Sequence, residues 1–195
     1  FSAEKLQKSL TVAAEKDFYP LTPTQKNIWV LSKFNGGSLS YNIPASFLLK
    51  GDLDIEKLND AISKVIQKHE SLRTIFVEDV EGEAVNQKII PFKDFKFKIN
   101  VSSLSEEVEK ERQINEIIKA EYTTSFDLKK VPLLRVRVIK KEHDHVILIF
   151  TIHHIIGDGW SLNVLINDIR KAYNKLIEGE LVDLKKLPIQ YKDYT

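Results

Sequence analysis

The sequence contains no cysteine and no methionine. The first absence excludes disulfides, thiolate metal sites and a cysteine nucleophile. It fits a reducing compartment, and a cytoplasmic location is the expectation. The second absence leaves the start, Phe1-Ser2-Ala3-Glu4-Lys5, without an initiator residue. The segment is therefore expected to be cut or processed from a longer chain. That start also lacks the apolar core of a signal peptide. No charge of one sign dominates: Lys and Arg number 29 and Asp and Glu 28, for a net charge of +1. This balance carries no electrostatic footprint for nucleic acid. Long apolar runs are missing too. The longest, Val146 to Ile152, includes Thr151 and has the length of a strand, far short of the roughly 18 residues of a membrane span. No repeat and no low-complexity tract is present. What remains is an ordinary globular mix, 43% hydrophobic and 29% charged over 195 residues. It suits one domain, or one lobe of a larger domain, with a substantial core.

The order of elements can be read from punctuation and periodicity. Residues 1–17 read as a helical linker or a frayed N-terminal extension, and the folded unit as residues 18–195. Thr22-Pro23-Thr24-Gln25 is a capping box with proline at the first helical position. Its helix should reach about Phe34 and stop at Asn35-Gly36-Gly37. Tyr41 to Lys50 reads as a strand. Asp54 should cap a helix whose apolar face is Ile55, Leu58, Ile62, Val65 and Ile66. Strands follow at Leu72–Glu78 and Ala84–Ile90, and Phe95, Phe97 and Ile99 alternate with lysines as in a half-buried segment. A charged helix covers Ser105–Glu121. Leu133–Lys140 and His145–His153 then form a hairpin around Glu142, His143 and Asp144. The last helix spans about Trp160 to Glu178, with Gly179 at its stop. Hairpins mixed with helices imply an α+β class, or α/β with a mixed sheet.

The run His153-His154-Ile155-Ile156-Gly157-Asp158-Gly159 stands where a strand hands over to a helix. That strand is apolar on both faces and should be central. By parity His154 shares a face with Leu148, Phe150 and Ile152, and His153 shares the other with Ile147, Ile149 and Thr151. A strand-end histidine has two readings. It can be a hydrogen-bonded core residue, or a rigidly held base, since imidazole takes up a proton near neutral pH. The helix start just beyond offers backbone N–H groups to a developing oxyanion. Asp158 can equally be a helix cap. A metal site is disfavoured. His145 and His153 are roughly 26 Å apart at about 3.3 Å per residue along a strand, and no further ligand stands near His143 and His145.

His-His-x-x-x-Asp-Gly resembles the pattern of the chloramphenicol acetyltransferase-like acyltransferases. Other stretches resemble condensation domains of nonribosomal peptide synthetases in particular. Thr22-Pro23-Thr24-Gln25-Lys26-Asn27-Ile28-Trp29 is similar to their first core motif, and Tyr41-Asn42-Ile43-Pro44 to the stretch that follows it. Lys68-His69-Glu70-Ser71-Leu72-Arg73-Thr74-Ile75-Phe76 is similar to the second motif. Phe126-Asp127-Leu128, Pro132-Leu133-Leu134-Arg135 and the tail Leu187 to Tyr194 match the segments around the histidines. The departures are Thr22, Thr24, Asn27 and Lys68. Asp158-Gly159-Trp160-Ser161 resembles condensation more than epimerisation.

The resemblance implies a V of two lobes, of which this chain is the N-terminal one and the C-terminal lobe is missing. It implies two peptidyl carrier proteins, donor and acceptor, presenting substrates on phosphopantetheine arms. It further implies a neighbouring adenylation domain, no directly bound cofactor and no metal. His154 corresponds to the catalytic histidine, either as base or as a positioning group. His153 is expected to be structural. Asp158 is expected to hold the loop through an arginine, with Arg73 and Arg135 as candidates unless the partner lies downstream. Gly159 would allow close approach to the reacting centre, and Trp160 belongs to the same motif. His69 reads as structural, with Glu70 and Arg73 tying its corner to the loop. A non-catalytic binding module and a trimeric acetyltransferase are the competing readings.

Overall fold

The computed structural model describes residues 11–34, 39–79, 81–82, 84–104, 109–142 and 144–195. The expected helix stop at residues 35–37, the turn residue His143 and the first residues expected of the charged helix lie outside them.

Helix α1 (Pro23–Ser32) begins at the expected capping box. Thr22 Oγ1 accepts from the Gln25 N–H at 3.2 Å and Gln25 Oε1 accepts from the Thr22 N–H at 2.9 Å. Gln25 is also buried, and its Nε2 donates to the Ile155 carbonyl at 3.3 Å. The cap therefore pins α1 to the loop that follows the histidines. Helix α2 (Ile55–Lys68) starts at Asp54, whose Oδ1 accepts from the Lys57 N–H at 3.0 Å. Its buried face is Leu58, Ala61, Ile62, Val65 and Ile66.

Two sheets form. The smaller consists of β1 (Tyr19–Pro20), β3 (Thr74–Glu78) and β4 (Val85–Ile89), in the order β1-β4-β3. The larger consists of β2 (Asn42–Lys50), β5 (Asn100–Ser103), β6 (Leu134–Glu142) and β7 (His145–His153), in the order β2-β7-β6-β5. Its β2–β7 and β7–β6 pairs are antiparallel and its β5–β6 pair is parallel. The sheet is thus mixed, and with helices between hairpins it fits the α+β reading with a mixed sheet.

Strand β7 is central, and its two faces serve two layers. Leu148, Phe150 and Ile152 join the main core with α2 and with α4 (Gly159–Ile177). Ile149 packs with Ile139 of β6 and Ile114 of α3 (Lys110–Thr123) in a second cluster. Helix α4 lies against α2 through Leu162, Leu165, Ile169 and Ala172. Burying the leucine and isoleucine side chains among these contributes roughly 1.5–3 kcal/mol each before conformational entropy is charged against it. Gly179 ends α4 at φ +75°, a backbone position that favours glycine. Among the described residues no helix is long and apolar enough to cross a membrane.

Some boundaries differ from the sequence reading. Leu72 and Arg73 belong to a 3-10 turn (Glu70–Arg73), so β3 begins at Thr74. Phe95, Phe97 and Ile99 alternate in burial but form no strand; β5 follows them instead. Residues 11–18 are not helical. They lie along the fold, with the Ala13 N–H donating to Asp193 Oδ1 at 2.9 Å and the Lys16 N–H to Tyr19 Oη at 2.9 Å.

A charged knot joins α3 to the sheet. Glu121 is 5% exposed and pairs with both Arg135 and Arg137. Arg135 also donates to the Glu121 and Thr124 carbonyls at 3.0 and 2.7 Å, and its guanidinium stacks over Phe126 at 3.8 Å. Glu121→Gln keeps the volume but leaves two cations facing an amide. The expected result is a loss of about 2 kcal/mol, read as a lower urea midpoint at an unchanged slope.

Candidate active site

The site lies where β7 hands over to α4. The backbone there is held from both neighbouring segments. The His153 N–H donates to the Leu133 carbonyl at 3.1 Å and the His154 N–H to the Tyr41 carbonyl at 2.8 Å. Ile155 and Ile156 then turn inward, 0% and 5% exposed, and anchor the turn in the core. A Cβ at Gly157 would stand 3.0 Å from Ser161 Cβ, tighter than most packing contacts, so glycine lets the turn pack closely on α4.

The two histidines separate completely. His153 is fully buried between Tyr41 and Phe126, at ring-centroid distances of 6.1 and 6.0 Å. Its Nδ1 accepts from the Ile155 N–H at 3.2 Å. Burial first, and then the charges of His154 and Arg135, push its pKa down to about 4. It is neutral at pH 7. His154 is exposed, rests edge-on against Tyr41 at 6.4 Å, and its ring makes no hydrogen bond to the described residues. It opens into a cleft of about 440 Å³ whose walls include Asp158, Trp160, His69, Ile189 and Tyr191.

Asp158 is the N-cap of α4. Its Oδ1 accepts from the Ser161 N–H at 2.8 Å and from the Ser161 hydroxyl at 2.7 Å. These two bonds hold its carboxyl below the usual carboxylate range. Asp158→Ala should cost about 1 kcal/mol in thermal stability, whereas Asp158→Asn, another good cap, should cost only tenths. Trp160 is 78% exposed at the cleft mouth. A Cβ at Gly159 would meet no heavy atom within 4 Å. No packing contact among the described residues demands that glycine, and it leaves free space at the helix start.

The arginine tether of Asp158 is not found among the described residues. Arg73 donates to the Ile90 carbonyl at 2.8 Å and faces Glu70 at 3.8 Å. Arg135 points to the α3 side of the sheet, where Glu121 binds it. The local Ser161 cap takes the role assigned to them. One donor of the helix start, the Ser161 N–H, is spent on the Asp158 carboxylate.

Nor does Glu70–Arg73 tie its corner to the loop. It ties it to the tail. Gln190 Oε1 accepts from the Glu70 N–H at 3.1 Å and its Nε2 donates to the Lys68 carbonyl at 3.0 Å. Lys192 reaches Glu70 at 2.8 Å. The apolar tail finds its partner surface here and becomes one wall of the cleft. His69 is anchored as expected of a structural residue, with Nε2 2.9 Å from Asp168 Oδ2, an oxygen shared with Lys68 at 2.8 Å. Burial lowers its pKa against the pull of Asp168. It lines the cleft as well. Asp168 escaped the sequence reading, although an acid beside the apolar residues Leu165 and Ile169 was a signal. Tyr41 and Gln190 stood in motif stretches but were given no role at the site.

The family model of the condensation domain matches residues 15–195. The chain is 40% identical over 193 residues to bacitracin synthase 3 of Bacillus licheniformis, covering 98% of this chain and 3% of that protein. It is 41% identical over 180 residues to gramicidin S synthase 2 of Brevibacillus brevis, covering 92% and 4%. Among solved structures, the starter condensation domain of rhizomide synthetase aligns with a TM-score of 0.79 at 20% identity, over 89% of this chain and 41% of that one. The X-domain from teicoplanin biosynthesis aligns with a TM-score of 0.80 at 24% identity, over 95% and 39%. These two likenesses show a shared fold. The chain therefore spans a few per cent of the curated synthases and about two fifths of the solved domains. With a matched family model over nearly its whole length, this chain belongs to the condensation-domain family.

Proposed function

We propose that residues 18–195 form the His154-bearing lobe of a condensation domain that makes an amide bond between two carrier-bound substrates. The observation that carries this reading is an exposed imidazole, held by its backbone at the end of a central strand and open to a cleft. In the reaction, the acceptor amine attacks the donor thioester carbon. The C–N bond forms, the C–S bond breaks, and the proton lost by the amine ends on the donor thiolate. No oxidant, reductant or metal enters this balance. His154 is the group placed to carry that proton or to orient the amine. His153 is its neutral support, Asp158 and Gly159 shape the helix start, and Trp160 stands at the mouth.

The partners follow from the reading. They are donor and acceptor carrier proteins with phosphopantetheine arms, a second lobe that completes the cleft, and a neighbouring adenylation domain. The 195-residue chain alone is expected to make almost no product. Robust turnover by it would overturn the one-lobe assignment. The decisive experiment is peptide formation by the parent module with both carriers loaded, comparing wild type with His154→Ala.

A further inference from the structure

Buried polar atoms are nearly always hydrogen-bonded, so each orphan calls for an explanation, and an ordered water is one. Three of them cluster at the end of the four-stranded sheet: Asn42 Oδ1, Thr151 Oγ1 and His153 Nε2 have no partner among the described residues. Asn42 and His153 are register partners across β2 and β7. Their side chains leave the same face of the sheet, and Thr151, two residues earlier on β7, shares that face. Thr151 and His153 have no exposed surface. The other such atoms belong to Glu70 and Arg73, in the ion-paired corner already described.

The chemistry of the three is complementary. Asn42 Nδ2 donates to the Tyr122 and Thr124 carbonyls, each at 2.9 Å. A flipped amide would set its oxygen against two carbonyls, so the orientation is determined and Oδ1 is an acceptor. His153 Nδ1 accepts from the Ile155 N–H, so the neutral ring carries its proton on Nε2, a donor. The Thr151 hydroxyl can act either way. One donor, one acceptor and one adaptable group, side by side on one face of the sheet, are a set that a single water molecule can satisfy.

We propose that Asn42, Thr151 and His153 together hold one ordered water, which locks His153 in the Nε2–H tautomer. Asn42 and Thr151 are thereby positioning residues. They keep Nδ1 free for the Ile155 N–H, and that bond sets the turn carrying His154. The link to catalysis rests on the function proposed above, whereas the water and the tautomer do not.

The test is nitrogen-detected NMR of the chain with labelled histidine at neutral pH. The expected spectrum has a lone-pair-type Nδ1 and a protonated Nε2 for His153, with a cross-peak from Hε2 to a long-lived water. Thr151→Val, which keeps shape and removes the hydroxyl, should abolish the cross-peak and speed Nε2–H exchange about tenfold. Thr151→Ser should restore both. In the parent module, Thr151→Val should lower kcat with KM unchanged, and Thr151→Ser should recover it. A proton on Nδ1, a missing water cross-peak in wild type, or unchanged exchange in Thr151→Val would each overturn the proposal. If the valine variant does not fold, wild type and Thr151→Ser decide, since a proton on Nδ1 in either is fatal. Failure of the module to make product in any form would instead sink the functional reading and leave the spectra as evidence for the water.

Discussion

His154→Ala in the parent module should reduce product formation by about 10²- to 10⁴-fold, the usual contribution of a positioned acid–base group. The same substitution should leave folding almost untouched. The His154 side chain is exposed and makes no hydrogen bond to the described residues. The contact it loses is the edge-on approach to Tyr41, worth at most about 1 kcal/mol at an exposed position. The bond from the His154 N–H to the Tyr41 carbonyl belongs to the backbone and survives. The measurement is chromatographic quantification of peptide released from loaded carriers, beside a thermal melt of each variant. Product at the wild-type level would remove His154 from the mechanism and favour a domain that only recruits partners.

The neighbouring histidine should show the opposite profile, a large effect on stability that depends on pH. His153 has a folded pKa of about 4 against an ordinary value of 6.5. Between those values the unfolded chain binds a proton that the folded chain refuses. Stability is therefore complete above the unfolded value, falls as pH drops toward the folded one, and levels off below it. The size is about 3 kcal/mol, from roughly 1.4 kcal/mol per unit. His69, lowered mainly by burial, adds to the loss in the same direction. Asp158 and Asp168, both below the usual carboxylate range, destabilise only at lower pH, as they gain protons. Urea titrations at pH 7 and pH 4.5 should show the midpoint falling. In His153→Gln the fall should shrink to the share that His69 supplies. An equal pH dependence in both proteins would show that His153 is not buried uncharged.

Much of this was legible in the chain. The capping box at Thr22 and Gln25, the Asp54 cap, the stripe along α2 and the centrality of β7 all appear as read, because each depends on residues within a few positions of one another. The parity of Leu148, Phe150 and Ile152 against Ile147 and Ile149 also holds, since a strand has only two faces. What failed depends on distant partners. Asn100–Ser103 is short and polar and becomes a strand only by pairing parallel to Arg137–Lys140. The arginines failed for a related reason. Arg73 and Arg135 are long enough to reach several acceptors, and only the packed fold shows that carbonyls and Glu121 claim them before Asp158 could. Parity placed the two histidines on different faces, but the chain leaves β7 after His153, so exposure of His154 comes from the turn and not from the sheet.

The edge position of β2 carries a consequence in time. Its sheet partner among the described residues is β7, and the pair joins Asn42 to His153. Some hundred residues must be added between their synthesis, which takes roughly 5–20 s at ordinary rates of translation. For that interval β2 exists without a neighbour, and from Asn42 to Leu49 it carries no charge. Pro44 blunts the start of this edge, but the uncharged stretch Ala45–Leu49 beyond it can dock another nascent strand. The yield of properly folded chain should therefore depend on the pace of the ribosome through residues 50–145, and slow codons there should favour aggregates even though they change no residue.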